Sequence, residues 1–243
     1  MARRHALLLA GGKGLRAGGD IPKQFQEICG RPLLWWSLRA FHSHDPETDI
    51  TVVMNPEYAG LWQSLLSALP EDERIAHHIA PGGKERGESV MNGLRNIKER
   101  GDACENILVA VHDGARPLIT PEMIERGFDM AEKRGNAVPY KPLTDSIRHL
   151  NTTGQPEKGS GPADRSAFVC VQTPQIFKYD TLCEAYAKSR GLTFTDDASL
   201  AEQALGLEIA LYEGESSNIK VTNPEDFAIA ETLLGLLHSN GKS

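Results

Sequence analysis

Short β-rich apolar runs alternate with helix-period segments along this chain, and that alternation limits its possible folds more than any other feature. Residues 5–10, 50–54, 75–80 and 107–112 read as strands. Between them, Pro32 opens a helical stretch with Leu34, Leu38 and Phe41 on one face. A second begins near Glu85, carries Val90, Leu94 and Ile97 at i, i+4, i+7 and stops at Gly101. Thr120-Pro121 reads as an N-cap followed by proline at the first helical position, with Ile124, Phe128 and Ala131 on a common face. Asn223-Pro224 repeats that signal ahead of Phe227, Ala230, Leu234 and Leu237. Parallel strands need crossover helices, so the pattern predicts an α/β fold: one domain over residues 1–243, with a largely parallel, Rossmann-like sheet covered by helices on both faces.

A chain of 243 residues with 40% hydrophobic content buries a proper core, and that composition excludes a disordered or collagen-like chain. Its 33 acidic residues outnumber 26 Lys and Arg, for a net charge of −7. Such a balance argues against binding a nucleic-acid polymer, yet leaves room for a local basic site that takes a small phosphorylated molecule. No window approaches the roughly 20 apolar residues that span a bilayer, and the first apolar run is too short for a secretory signal, so no membrane role is expected. Cys29, Cys104, Cys170 and Cys183 form no C-x-x-C pair and read as reduced thiols of a cytoplasmic protein. Trp35, Trp36 and Trp62 fall on helices and are expected in the core or an interface. One polar excursion, at about 141–166, breaks the rhythm; it is too long for an ordinary connection and reads as a protruding arm.

The chemistry begins after the first strand, with Ala10-Gly11-Gly12-Lys13-Gly14-Leu15-Arg16 and then Pro22-Lys23-Gln24. Glycines let backbone N–H groups approach a phosphate. Gly12-x-Gly14-x-x-Ala17 also satisfies a dinucleotide fingerprint, but Gly18, Gly19 and Pro22 interrupt the helix that it should open. The acidic ribose ligand expected about 20 positions on is replaced by Leu34-Trp35-Trp36. A Walker A loop fails for want of G-K-[ST]. Arg16 and Lys23 are suited to neutralising charge on a triphosphate during displacement. Gly82-Gly83 reads equally as a turn before a helix or as a ligand loop. Asp196-Asp197 reads either as a metal pair or as a cap on a helix starting at Ala198, with the cap favoured.

Further motifs follow in order: Gly82-Gly83-x-x-Arg86-x-x-Ser89, His112-Asp113-Gly114-Ala115-Arg116-Pro117, Thr144-Asp145-Ser146, Asp164-Arg165, Gln172-Thr173-Pro174-Gln175, Thr195-Asp196-Asp197-Ala198-Ser199 and Asn218-Ile219-Lys220-Val221-Thr222. With these, nearly the whole chain resembles the 2-C-methyl-D-erythritol 4-phosphate cytidylyltransferases of the non-mevalonate isoprenoid pathway, within the wider nucleotidyltransferase group. The resemblance implies transfer of a cytidylyl group from CTP to a sugar-alcohol phosphate, with release of pyrophosphate. Arg16, Lys23, Arg165 and Lys220 would then be the catalytic cations. Ala10, Gly11, Gly12, Gly14, Gly82, Gly83, Ser89, Asp113 and Lys220 would bind the nucleotide. Asp113, Arg116, Ser146, Arg165 and Thr173 would bind the acceptor, and Asp113 would also hold Mg²⁺. Lys84 stands where many members carry an acidic residue. His112 is expected to be structural, because a phosphate nucleophile is already ionised and needs no base. The arm would cross to a second subunit of a homodimer and deliver Arg165 to the partner's site. Ribitol 5-phosphate cytidylyltransferase is the alternative closest in chemistry; a non-catalytic nucleotide sensor is more remote.

Overall fold

The computed structural model describes residues 2–12, 21–102, 106–150 and 159–240. The chain starts with β1 (Arg3–Ala10), a small ladder of β2 (Glu27–Ile28) and β3 (Arg31–Pro32), then α1 (Leu33–His44), β4 (Asp49–Met54), α2 (Ala59–Ser67), β5 (His78–Pro81), α3 (Arg86–Glu99) and β6 (Ile107–Asp113). It continues through α4 (Pro121–Arg134), β7 (Asn136–Pro142), β8 (Arg148–Leu150), β9 (Ser160–Pro162), β10 (Val169–Val171) and β11 (Gln175–Lys178). The last elements are α5 (Tyr179–Ala187), α6 (Asp197–Leu205), β12 (Leu211–Glu213) and α7 (Pro224–Asn240).

Eight strands form one sheet in the order β10-β7-β11-β6-β1-β4-β5, with β12 paired to β7. β6, β1, β4 and β5 run parallel, as do β12 and β7, while β11 is antiparallel to β6 and β7, and β10 to β7. Side chains alternate across a strand, and β1 shows the consequence. Ala6, Leu8 and Ala10 enter the core layer beneath α1, α2 and α4, whereas Leu7 enters the layer beneath α3, α5 and α6. Burial on both faces is why these strands read as continuous apolar runs.

The predicted helices form, and the expected cap is seen at α4, while at the start of α7 the Asp226 carboxylate accepts from the Thr222 and Asn223 amides. Thr120 accepts from the Met123 amide at the start of α4, and Gly135 ends it at φ 84°, a left-handed conformation that glycine adopts freely. The expected faces are buried, except that Leu237 of α7 is exposed. Trp35, Trp36 and Trp62 are all core residues; Trp62 is fully buried and donates to His77 Nε2 at 2.9 Å.

The third strand is shorter and later than the expected 75–80, spanning His78–Pro81, because His77 turns its Nδ1 back onto the Ile75 carbonyl before pairing with β4 begins. Within the excursion, Lys141 and Pro142 stay in the main sheet against β10. β8 and β9 then form a separate antiparallel ladder, with His149 opposite Gly161. The arm tip at 151–158 lies outside the described residues. No helix among the described residues is long and apolar enough to cross a membrane.

This topology brings the ends of β1, β5 and β6 to one edge of the sheet, the edge where open α/β sheets bind ligands. Trp62→Ala is expected to lower unfolding free energy by about 3–5 kcal/mol, the cost of a large unfilled core site, measured by denaturant titration.

Candidate active site

The edge of the sheet is shaped first by two glycine turns. Gln24, almost fully buried, donates from Nε2 to the Ala10 carbonyl at 2.7 Å and the Gly12 carbonyl at 2.9 Å, which holds the turn after β1 open toward the cleft. The turn after β5 sits beside it. A Cβ on Gly11 would lie 3.2 Å from Ser89 Oγ, and one on Gly82 would lie 3.1–3.2 Å from the Met54 and Asn55 backbone, so glycine lets the first turn sit close to α3 and the second close to the end of β4. Ser89 Oγ accepts from the Gly83 amide at 3.0 Å and donates to the Glu85 carbonyl at 3.1 Å, joining the turn to the first turn of α3.

These turns wall a cleft of about 530 Å³ that is also lined by Lys23, Ser89, Arg86, Asp113 and Lys220. An adjoining hollow of about 190 Å³ shares Arg86, Asp113 and Lys220 and adds Arg116, Thr173 and Asp196. Asp113 stands at the junction. Lys220 Nζ donates to its Oδ2 at 2.8 Å; Arg116 Nε lies 3.8 Å from the same oxygen, and Arg86 Nε lies 3.8 Å from Oδ1. Burial alone would raise the carboxyl, but Lys220, Arg86 and Arg116 bring it down to about 2, so it is ionised at physiological pH. Lys23 Nζ donates to the Val221 carbonyl at 2.7 Å, and Val221 directly follows Lys220, so both lysines are tied to one short segment.

That segment is anchored by buried polar bonds. Arg116 Nη1 donates to the Asn218 carbonyl at 2.8 Å, Asn218 Nδ2 to the Thr173 carbonyl at 3.0 Å, and Gln172 Nε2 to the Glu215 carbonyl at 2.8 Å. Thr173 Oγ1 accepts from the Asp113 amide at 3.0 Å and donates to His112 Nδ1 at 3.1 Å, so His112 is the tautomer that donates from Nε2 to the Arg116 carbonyl. Burial lowers His112 to about 4, and the ring is fully enclosed; it is a neutral support and not a base.

Of the residues selected from sequence, Ala10, Gly11, Gly12, Lys23, Gly83, Ser89, Asp113 and Lys220 meet in the cleft, and Arg116 and Thr173 in the hollow. Gly82 supports the wall from behind. Ser146 and Arg165 are absent from the described lining of either cavity; both are exposed on the excursion, where Arg165 donates to the Thr144 carbonyl. Gly14 and Arg16 lie outside the described residues.

The expectation for Asp196-Asp197 needs correction. Asp196 alone caps α6, in a capping box with Ser199. Asp197 is fully buried, 2.6 Å from Arg86 Nη2 and 2.6 Å from the Tyr186 hydroxyl. Read from sequence, Arg86 and Gln24 carry no assigned role, and Asp197 reads only as part of a cap or a metal pair. Arg86 belongs to the motif Gly82-Gly83-x-x-Arg86-x-x-Ser89, but a cation opening an amphipathic helix reads as a surface charge, and its partner lies 111 positions away.

Glycine turns and paired lysines at the carboxyl edge of a mostly parallel sheet suit a phosphorylated ligand, and comparisons with known proteins place the chain among the α/β nucleotidyltransferases. The 2-C-methyl-D-erythritol 4-phosphate cytidylyltransferase (IspD) family model matches residues 4–236, and the chain belongs to that family. It is 41% identical over 231 residues to the enzyme of that name from Bacteroides fragilis, covering 95% of this chain and 99% of the relative. It is 40% identical over 232 residues to the one from Porphyromonas gingivalis, covering 96% and 98%. The crystal structure of 2-C-methyl-D-erythritol 4-phosphate cytidylyltransferase from Thermus thermophilus superposes with a TM-score of 0.71 at 33% identity, over 96% of this chain and 98% of that one.

Gln24→Ala would leave the buried carbonyls of Ala10 and Gly12 without their donor. It is expected to cost about 1–3 kcal/mol of stability, read as a lower denaturation midpoint with an unchanged slope.

Proposed function

We infer that the family's reaction takes place in this cleft: the chain transfers a cytidylyl group from CTP to 2-C-methyl-D-erythritol 4-phosphate, giving 4-diphosphocytidyl-2-C-methyl-D-erythritol and pyrophosphate, a step of non-mevalonate isoprenoid precursor synthesis. The observation that carries this reading is the convergence of two glycine turns, Lys23 and Lys220 on one cleft that opens into a second hollow. A phosphate oxygen of the acceptor attacks the α-phosphorus in line. The bond from that phosphorus to the bridging oxygen breaks, and its electron pair leaves with pyrophosphate. The nucleophile is already ionised, so the protein's work is positioning and charge neutralisation.

In this reading the amides around Gly11 and Gly12 receive phosphate, and Lys23 and Lys220 neutralise the charge that builds around the α-phosphorus. Arg16 joins them by its place in the family motif. Gly82, Gly83 and Ser89 form the cytosine end, where the Ser89 hydroxyl joins the Gly83 amide to the Glu85 carbonyl and fixes the shape of the turn that faces the base. Arg116 and Thr173 bind the acceptor.

Asp113 suits a magnesium ion carried by the nucleotide. It is an ionised carboxylate at the cleft, and among the described residues no three His, Cys, Asp or Glu side chains gather into a protein-only cage. Mg²⁺ takes one or two carboxylates and fills its other positions with phosphate oxygens and water. When bound, it would draw charge from the triphosphate.

Arg165 and Ser146 complete the site in a homodimer, with the arm of one subunit reaching the other. Their exposure on the excursion, beside exposed Leu150, Phe168, Val169 and Val171, supports that reading. Free thiols at Cys29, Cys170 and Cys183 suit a reducing, cytoplasmic setting.

Pyrophosphate release from CTP with Mg²⁺ tests the function. 2-C-methyl-D-erythritol 4-phosphate is expected to be the efficient acceptor, and faster turnover of ribitol 5-phosphate would overturn the assignment. Lys23→Ala is expected to lower kcat about 10²–10³-fold with little change in CTP affinity, because the cation acts mainly on charge that develops in the transition state. Mixing Arg165→Ala with Lys23→Ala subunits is expected to restore part of the activity through one intact composite site. No restoration, with subunit exchange verified by mass, would assign the arm to its own subunit.

A further inference from the structure

Arg86 opens α3 and borders both the cleft and the hollow, yet its contacts are those of an internal residue. Nη2 lies 2.6 Å from Asp197 Oδ2, Nε faces Asp113 Oδ1 at 3.8 Å, and Nη1 is buried without a hydrogen-bond partner. Asp197 cannot turn away, because its other oxygen accepts from the Tyr186 hydroxyl at 2.6 Å. The helix start is pinned as well: a Cβ on Gly87 would lie 3.2 Å from both Phe194 and Tyr186. Arg86 is thus held by the core from one side and offered to the junction of the two cavities on the other.

The carboxylate at that junction has a distinct partner on each oxygen. Oδ2 faces Lys220 at 2.8 Å and Arg116 at 3.8 Å; Oδ1 faces Arg86. With the other described cations on one side, a carboxylate lacking Arg86 would be free to rotate toward Lys220 and Arg116, and Lys220 would shift with it. A guanidinium presents several donors in a rigid fork and can serve two carboxylates at once, whereas an ammonium is a single point charge.

We propose that Arg86, braced by Asp197 and Tyr186, is a positioning residue for cytidylyl transfer: it sets the orientation of the Asp113 carboxylate and, through that carboxylate, the place of Lys220 at the junction of the two cavities. The inference rests on the reaction assigned above, and it adds a line of command that runs from the core at α5 and α6 to a lysine at the reacting end of the cleft.

The test uses the full-length protein with CTP, Mg²⁺ and 2-C-methyl-D-erythritol 4-phosphate, with thermal melting measured beside kcat and both KM values. Arg86→Lys keeps a cation for Asp197 but loses the fork. It is expected to stay folded at the assay temperature, to lose at least tenfold in kcat and to keep the KM for CTP within threefold. Tyr186→Phe removes only the brace and is expected to lose about threefold in kcat. Because Arg86 acts through Asp113 on Lys220, adding Arg86→Lys to Lys220→Ala is expected to cost less than twofold beyond Lys220→Ala alone. The proposal is overturned if folded Arg86→Lys and Tyr186→Phe both keep kcat within twofold, if they lower only the melting temperature, or if the effects of Arg86→Lys and Lys220→Ala multiply. If Arg86→Lys does not fold, Tyr186→Phe decides: kcat within twofold overturns the proposal, and a threefold loss without a matching KM change supports it. Wild-type protein that releases no pyrophosphate would overturn the reaction assignment itself, an outcome separate from every comparison among variants.

Discussion

An ionised carboxylate set deep at the end of a strand needs cations, and Asp113 collects three of them from three different parts of the chain: Arg86 from α3, Arg116 from the turn after β6, and Lys220 from the segment before α7. Much of the site follows from that arrangement. Lys220 is drawn toward the cleft by Asp113, Val221 is placed by its bond to Ala115, and Lys23 is placed by its bond to Val221. The protein as a whole carries a charge of −7, yet the described cleft is built around Lys23, Arg86 and Lys220. Net charge speaks for long-range encounter with a polymer, while the local arrangement of cations decides whether a nucleotide can be held.

Beneath this charged layer is a packing constraint. Gly11 lets the turn after β1 lie against Ser89 of α3, Gly82 lets the turn after β5 lie against the end of β4, and the buried amide of Gln24 holds the carbonyls of the first turn. The backbone amides that would receive phosphate are therefore positioned by the sheet and its core rather than by the ligand, which is the form of preorganisation that favours charge stabilisation in a transition state.

Much of this was legible in the sequence. β1, β4 and β6 are buried on both faces and therefore read as apolar runs; α1, α3 and α4 show their buried stripes and caps within a few residues. β10 and β12 escaped because they are three residues long and carry exposed positions such as Val169 and Leu211, which leave no pattern to read. Residues carried by short motifs, Gly11, Gly12, Lys23, Asp113 and Lys220, were singled out from sequence, and they line one cleft. The Arg86–Asp197 pair was not, since nothing near either residue signals a partner 111 positions away, and Asp197 looked like half of a helix cap. His112 was placed correctly as a support, on the chemical ground that the nucleophile needs no base; its complete burial gives the physical reason why it could not serve as one.

The central claim is that one cleft holds the whole triphosphate between the glycine turn after β1 and the two lysines. A crystal structure of the protein with CTP and Mg²⁺ tests it most directly. The account predicts phosphate oxygens on the amides around Gly11 and Gly12, both Lys23 and Lys220 within hydrogen-bond distance of the triphosphate, and cytosine against the Gly82-Gly83 turn. A triphosphate bound away from that turn, with Lys220 still paired only to Asp113, would contradict it.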